Sequence, residues 1–211
     1  MKKYFIEFLE KSGFKNTEKI LAKFEKYEEI LWNENQKVNM ISRKMEREKF
    51  WTVHFLDSVL PVTIPEIDFS GKTALDFGTG GGLPGIPLKL LYPDMSVYFL
   101  DARLKKMNAV KKFIKTLDLK QCCTICSRLE EMKLEEWGGR FDYIVCRSVK
   151  ILPAFKKNLF GLLKKNGMLL LYKSAEAPDT DQFNSKLIYK ISHPQVGQRR
   201  LAAVPNSNKA K

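Results

Sequence analysis

Apolar side chains at Ile20, Phe24, Tyr27 and Leu31 repeat with the spacing of one helix face, and acids and lysines fill the positions between them. This predicts a long amphipathic helix, punctuated in front by Gly13 and Asn16, with Asn16 or Thr17 as its cap. A further helix is expected around Glu46–Leu60, ended by Pro61. From Lys72 the texture changes to short apolar runs alternating with helical stretches, the pattern of a parallel sheet flanked by helices. Strands are expected at Thr73–Phe77, Ser96–Leu100, Cys122–Cys126, Tyr143–Cys146 and Met168–Tyr172, and helices at Pro87–Leu91, Arg103–Thr116 and Pro153–Leu163. Residues 175–185 read as a loop or short helix, and Ile188–Ser192 with Arg199–Val204 as a closing antiparallel pair. The expected organisation is a helical extension over residues 1–60, an α/β domain over 61–205 and a loose tail over 206–211, without internal repeats.

A chain of 211 residues, 44% hydrophobic, can bury one sizeable core. Lys and Arg number 37 against 24 Asp and Glu, a balance of +13, and the pI is about 9.5. An anionic partner follows: RNA, DNA or an acidic membrane surface, with a merely solvated basic surface as the alternative. No apolar stretch approaches the ~20 residues of a membrane span, and acids interrupt the N-terminal segment, so a soluble, unsecreted, cytoplasmic protein is expected. Cys122, Cys123, Cys126 and Cys146 lie in segments that read as buried strands and lack the paired spacing of a zinc site; reduced thiols and no metal are expected.

The most informative segment is Leu75-Asp76-Phe77-Gly78-Thr79-Gly80-Gly81-Gly82-Leu83-Pro84-Gly85, an apolar strand running into glycines before a helix. Without Cβ atoms such a turn can approach a ligand closely and present its N–H groups. Gly80, Gly82 and Gly85 satisfy the dinucleotide GxGxxG spacing, a weak signal. Asp76, two residues before Gly78, makes a DxGxGxG pattern that resembles an S-adenosylmethionine (SAM) loop, with the acid toward the cationic methionine end. Pro84 and Pro87 leave fewer N–H groups free to cradle a pyrophosphate, which favours SAM over NAD. Asp101, closing the second strand, suits the two hydroxyls of a ribose, or else caps the helix beginning near Arg103. Arg147 ends Phe141-Asp142-Tyr143-Ile144-Val145-Cys146-Arg147 at the sheet edge where open α/β sheets bind ligands, with a surface salt bridge as the alternative.

Together these residues resemble the bacterial small-subunit rRNA guanine-N7 methyltransferase family once called glucose-inhibited division protein B. The narrowest signal is Gly82-Leu83-Pro84-Gly85-Ile86-Pro87 after the loop. Trp32-Asn33, Val38-Asn39-Met40-Ile41-Ser42, His54-Phe55-Leu56-Asp57-Ser58, Ser127-Arg128-Leu129-Glu130-Glu131 and Cys146-Arg147-Ser148-Val149 extend the likeness over nearly the whole chain. The resemblance implies a class I SAM-dependent methyltransferase: a Rossmann-like, seven-stranded, mostly parallel sheet with helices on both faces and an antiparallel last strand. It implies Gly78, Gly80, Gly82 and Leu83 around the methionine of SAM, Asp101 on its ribose, Leu129 and Glu130 near its adenine, and Arg147 near the methionine or the incoming guanine. The implied target is a guanine of 16S rRNA in a loop near the decoding centre, in free RNA or in a small-subunit precursor, with no membrane and no obligate protein partner. The sequence departs from the family at Lys173-Ser174-Ala175, where relatives have Lys-Gly, at Ser148, commonly alanine, and in a less strand-like C-terminal segment.

Guanine N7 carries a lone pair and no proton, so its methylation needs alignment and electrostatics at ~3–3.5 Å, and no general base. No acid–base residue is therefore assigned; Arg147 is the positioning candidate. Phosphate contacts are expected from Lys105, Lys106, Lys111, Lys112 and Lys115 on the helix after Asp101, and from Lys173, Arg199 and Arg200, with a solvated lysine face as the alternative. His54 and Asp57, one helical turn apart, either form a structural pair or reach the RNA. Two rivals stand beside this reading: a cytosine-C5 methyltransferase with Cys146 as nucleophile, and a SAM-binding RNA or ribosome-assembly factor without turnover.

Overall fold

The computed structural model describes residues 1–173, 178–184 and 186–206. Its centre is a seven-stranded sheet of β1 (Thr73–Phe77), β2 (Ser96–Leu100), β3 (Cys122–Ile125), β4 (Phe141–Arg147), β5 (Leu163–Lys173), β6 (Leu187–His193) and β7 (Gly197–Pro205), ordered β3-β2-β1-β4-β5-β7-β6. The first five strands run parallel; β7 lies antiparallel between β5 and β6. This is the expected class I methyltransferase architecture. Because both faces of the central strands are covered, they read as unbroken apolar runs. In β4, Tyr143 and Val145 pack on one face while Ile144 and Cys146 pack on the other.

The helices are α1 (Lys2–Lys11), α2 (Thr17–Asn35), α3 (Asp57–Val59), α4 (Gly85–Leu91), α5 (Leu104–Thr116), α6 (Leu134–Trp137) and α7 (Lys156–Leu162). Phe24, Tyr27 and Leu31 form the buried stripe of α2, as their spacing predicts. They join Phe5, Phe50 and Phe55 and the inner residues of α5 over one face of the sheet, whereas Leu159 and Leu162 of α7 cover the other. Asn16 precedes α2 in a left-handed conformation, but its side chain makes no capping bond.

The predicted helix Glu46–Leu60 is not a simple α-helix and does not stop at Pro61. A 3-10 turn at Arg47–Lys49 leads into a π-helical segment, Phe50–Leu56, then α3, then a second 3-10 turn, Leu60–Thr63. Pro61 sits at the start of that last turn, where a missing N–H costs little. Widened π turns are uncommon and collect at functional sites; periodicity alone does not reveal one.

The C-terminal segment is more ordered than its sequence suggests. Leu201, Ala202, Ala203 and Val204 are buried in β7, with Leu170 opposite Ala203. Asn206, expected to begin a loose tail, donates its side-chain amide to the carbonyls of Phe160 and Lys164 at 3.1 and 3.0 Å. The rest of that tail, 207–211, lies outside the described residues, as do Ser174 and Ala175. The cysteines also need correction: β3 is an edge strand, so Cys123 and Cys126 are exposed and Cys122 half-buried, leaving only Cys146 in the core. No helix among the described residues is long and apolar enough to cross a membrane.

Candidate functional site

The glycine loop joins β1 to α4 and is held from three sides. The N–H groups of Gly78 and Thr79 donate to the Leu100 carbonyl at 2.8 and 3.1 Å, tying the loop to the end of β2. From below, Oδ2 of Asp76 accepts from Thr79 Oγ1 at 2.7 Å and from Gly85 N at 2.9 Å. From above, the Tyr27 hydroxyl donates to the Gly81 carbonyl at 2.6 Å. Gly78 has φ +70°, and a Cβ there would lie 2.3 Å from Cγ2 of Val149, so glycine is required on both counts.

These contacts open a cleft of about 740 Å³ at the carboxyl ends of β1, β2 and β4. Gly78, Gly80, Leu83, Asp101, Leu129, Glu130, Arg147 and Lys106 all line it. Asp76 and Gly82 do not. Asp76 is fully buried behind the loop, and burial raises its carboxyl to about 6 despite its bonds to Thr79 and Gly85. Its Oδ1 has no hydrogen-bond partner among the described residues. Gly82, with φ +92°, turns into the protein, where a Cβ would meet Ile86 and the Tyr27 hydroxyl. Asp76, expected at the methionine end, braces the turn from beneath and does not itself line the cleft.

Asp101 combines two contacts. Its Oδ1 accepts from Arg103 N at 2.9 Å and its Oδ2 from Gly80 N at 3.2 Å. It is not the cap of α5, which starts at Leu104 after Arg103; the carboxylate instead ties the second strand end to the glycine loop. An ionised carboxylate offers about four acceptor positions, so capacity remains on its cleft side. The N-terminal extension supplies another wall that no loop motif announced. Buried Asn35 accepts from Met40 N at 2.8 Å and Ile41 N at 3.0 Å, folding residues Met40–Ser42 over the cleft.

Arg147 ends β4 in a clamp made by the π-helical segment. Its guanidinium donates to the Val53 carbonyl at 3.2 Å and to Asp57 Oδ2 at 3.0 Å, and its other terminal nitrogen lies 3.3 Å from Nδ1 of His54. Burial, helped by the Arg147 charge, lowers the His54 pKa to about 3, so the ring is neutral. Since an arginine has only protons to offer, Nδ1 accepts and the proton resides on Nε2, a buried atom without a partner among the described residues. Asp57 does not pair with His54; its Oδ1 instead accepts from Arg199 Nε at 2.7 Å. The salt bridge that stood as the alternative for Arg147 is present, but it is largely buried and not on the surface, with side chains 11% and 13% exposed, and Arg147 lines the cleft as well.

Beside this clamp lies a second cavity of about 420 Å³, lined by Asp57, Tyr172, Lys173, Arg199, Arg200 and their neighbours. It shares His54, Arg147 and Ser148 with the cleft, so these three form the boundary between the two spaces. Ser148 adopts φ +61°, an uncommon conformation for serine that turns the chain sharply after β4.

The cations expected on RNA divide into free and engaged. Lys105 is exposed and Lys106 lines the cleft. Lys112 pairs with Glu34 at 3.2 Å, Lys173 with Asp179 and the Val149 carbonyl, and Arg199 with Asp57. Lys173 and Arg199 are drawn into the protein by these pairs, whereas Lys112 stays largely exposed. Cys146 lines neither space, and burial pushes its thiol up to about 12, away from the thiolate that a C5 mechanism needs. No metal-binding cluster occurs among the described residues.

A family model described as rRNA small subunit methyltransferase G matches residues 20–197. A protein of Flavobacterium psychrophilum named ribosomal RNA small subunit methyltransferase G is 34% identical over 179 residues, covering 82% of each chain. One of the same name from Streptococcus gordonii is 30% identical over 97% of this chain and 86% of its own. Among solved structures, a SAM-dependent methyltransferase from Aquifex aeolicus superposes with TM-score 0.56 at 16% identity, over 74% of this chain and 93% of its own, a likeness of fold.

Proposed function

The chain belongs to the rRNA small subunit methyltransferase G family, and on that premise we propose that it methylates N7 of a guanine in small-subunit (16S) rRNA, using SAM. The observation that carries the reading is the pair of cavities meeting at Arg147, His54 and Ser148. One is suited to a methyl donor and the other to an acceptor base, with a common boundary where transfer takes place.

The cleft fits the donor. Gly78 and Gly80 line it without side chains, and Asp101 retains acceptor capacity for ribose hydroxyls. Leu129 and Glu130 would flank the adenine, and Gly80 with Leu83 the methionine. Bound there, SAM supplies an electrophilic methyl group on a sulfonium.

The chain's own contribution is orientation. Arg147, fixed on three sides, would hold the base against the donor; no side chain is required to remove a proton, because N7 has none. Neutral His54, with its acceptor nitrogen committed to Arg147, fits a site without a general base. Lys105, Lys106 and Arg200 would meet phosphates. The target in a loop near the decoding centre and an assembled precursor or free rRNA as substrate follow from the family resemblance, and a cytoplasmic setting suits such a substrate.

The test is methyl transfer from radiolabelled SAM to free 16S rRNA and to small subunits, followed by chain cleavage specific for 7-methylguanine. A single cleaved guanine is expected. Label on cytosine, or tight SAM binding with no transfer to either substrate, would overturn the reading, the second outcome pointing to an assembly factor without turnover.

A further inference from the structure

The boundary residues constrain how a base sits. A base methylated in the smaller cavity must present its nucleophilic atom at the wall formed by His54, Arg147 and Ser148. For guanine that atom is N7. Going round the ring from N7, the next polar group is the O6 acceptor, followed by the N1–H and N2–H donors. The protein presents the complementary order: Arg147, a donor, stands at the shared wall, and Asp57, an acceptor, lines only the smaller cavity beyond it.

Asp57 is also prepared for a second pair of hydrogen bonds. Each of its oxygens already accepts one guanidinium N–H, from Arg147 at 3.0 Å and from Arg199 at 2.7 Å. Those two bonds fix the carboxylate plane and leave each oxygen another acceptor position, since a carboxylate has about four. Two parallel acceptors match two parallel donors, as in the bidentate pairing of a carboxylate with a planar fork of N–H groups.

We propose that Asp57 is the residue that selects guanine, accepting hydrogen bonds from N1–H and N2–H of a base seated in the smaller cavity. The proposal rests on the guanine-N7 reading above. It excludes adenine on chemical grounds, because adenine turns the lone pair of N1 toward the carboxylate and has no amine at C2. Pyrimidines have no N7 to methylate. Discrimination of this kind is strong because a buried acceptor left without its donor loses the bond without recovering water.

A residue that only held Arg147 would affect every base equally, so the test removes the N2 amine from the substrate. Single-turnover methylation is measured on an rRNA fragment carrying the guanine mapped above, and on the same fragment with inosine at that position. Wild type is expected to favour guanine by about tenfold, the loss of one hydrogen bond to a charged acceptor. Asp57→Ala should methylate both fragments slowly and at rates within about twofold of each other. The isosteric Asp57→Asn, which keeps the side-chain volume should the alanine variant fail to unfold cooperatively in urea, should likewise lose the preference. A tenfold preference that persists in the folded variants, or no preference in wild type, overturns the assignment of Asp57 while leaving the guanine-N7 reading intact. Mapping that finds methyl at another atom overturns both, before any variant is made.

Discussion

Tyr27→Phe removes one oxygen atom and asks whether the N-terminal extension holds the glycine loop. The hydroxyl is fully buried and donates to the Gly81 carbonyl at 2.6 Å. Burial raises the phenol well above its ordinary 10, so the donated proton is present at any working pH. The ring itself stays packed against Phe55 and Phe113, at centroid distances of 5.5 and 5.9 Å, and the substitution changes little else. What remains is a buried carbonyl without its partner, which costs about 1–3 kcal/mol. Urea unfolding should register that loss in the protein without added ligand. Gly80 and Gly81 line the cleft, so a loosened loop must be reordered on binding. If about 1 kcal/mol of the loss is re-imposed at that step, SAM affinity by calorimetry falls about fivefold. Stability within about 0.5 kcal/mol of wild type, the ordinary scatter of a neutral surface change, together with unaltered affinity would refute the idea that the extension positions the loop.

Asp101→Ala removes the Gly80 and Arg103 contacts together with the acceptor proposed for the ribose; SAM affinity should fall at least about tenfold in a folded protein, measured by calorimetry. Cys146→Ala should retain methyl transfer within about threefold, since a small buried side chain outside both cavities affects packing alone; complete loss of transfer in a folded variant would restore the thiolate mechanism. His54 titrates at about 3 when folded against 6.5 unfolded, so its contribution to stability is lost as pH falls from 6.5 toward 3, whereas Asp76, raised from 3.8 to about 6, contributes stability that is lost as pH rises through that interval. Between pH 4 and 6 the slopes oppose at about 1.4 kcal/mol per unit each, so urea denaturation should show His54→Gln losing stability with rising pH relative to wild type and Asp76→Asn losing it with falling pH. Replacing Lys105 and Lys106 with Ala should flatten the log–log salt dependence of RNA binding by about 1.4 if both meet phosphates on a single strand, leaving SAM binding unaffected by salt; an identical slope would move the RNA face elsewhere.

The sheet was legible because its signals are local: β1 and β2 match their predicted spans residue for residue, since buried parallel strands show as short apolar runs between turns. The glycine loop was legible for the same reason. The bracing role of Asp76 was not legible, because a spacing tells which residues are near a turn and not which side of it they take; the carboxylate lies beneath. Periodicity also misled at residues 50–56, where the π winding serves the distant Arg147, 94 positions from Val53. Tyr27 reads as one more apolar stripe position, and only its partner Gly81 distinguishes it from a core aromatic. Lys112, Lys173 and Arg199 look like free cations until the fold brings Glu34, Asp179 and Asp57 to them. For Tyr27, Lys112, Arg199 and the π winding the missing information is a partner far away in sequence, whereas for Asp76 and Lys173 it is the local course of the chain.

The bond between Asp57 and Arg199 spans 142 positions and gives the two cavities different histories during synthesis. The cleft draws on residues from Met40 to Phe155, whereas the smaller cavity is incomplete until β7 supplies Arg199, Arg200 and Leu201. Chains emerge amino end first and fold as they lengthen. Every residue of the cleft is synthesised before β7, and until the final hairpin is added Leu169–Leu171 of β5 lie along an edge that only it can cover. Such edges invite pairing with other chains. Insertion of β7 between β5 and β6 ends that exposure and completes the second cavity in one event, so a product truncated before β7 keeps an open edge and lacks the second cavity.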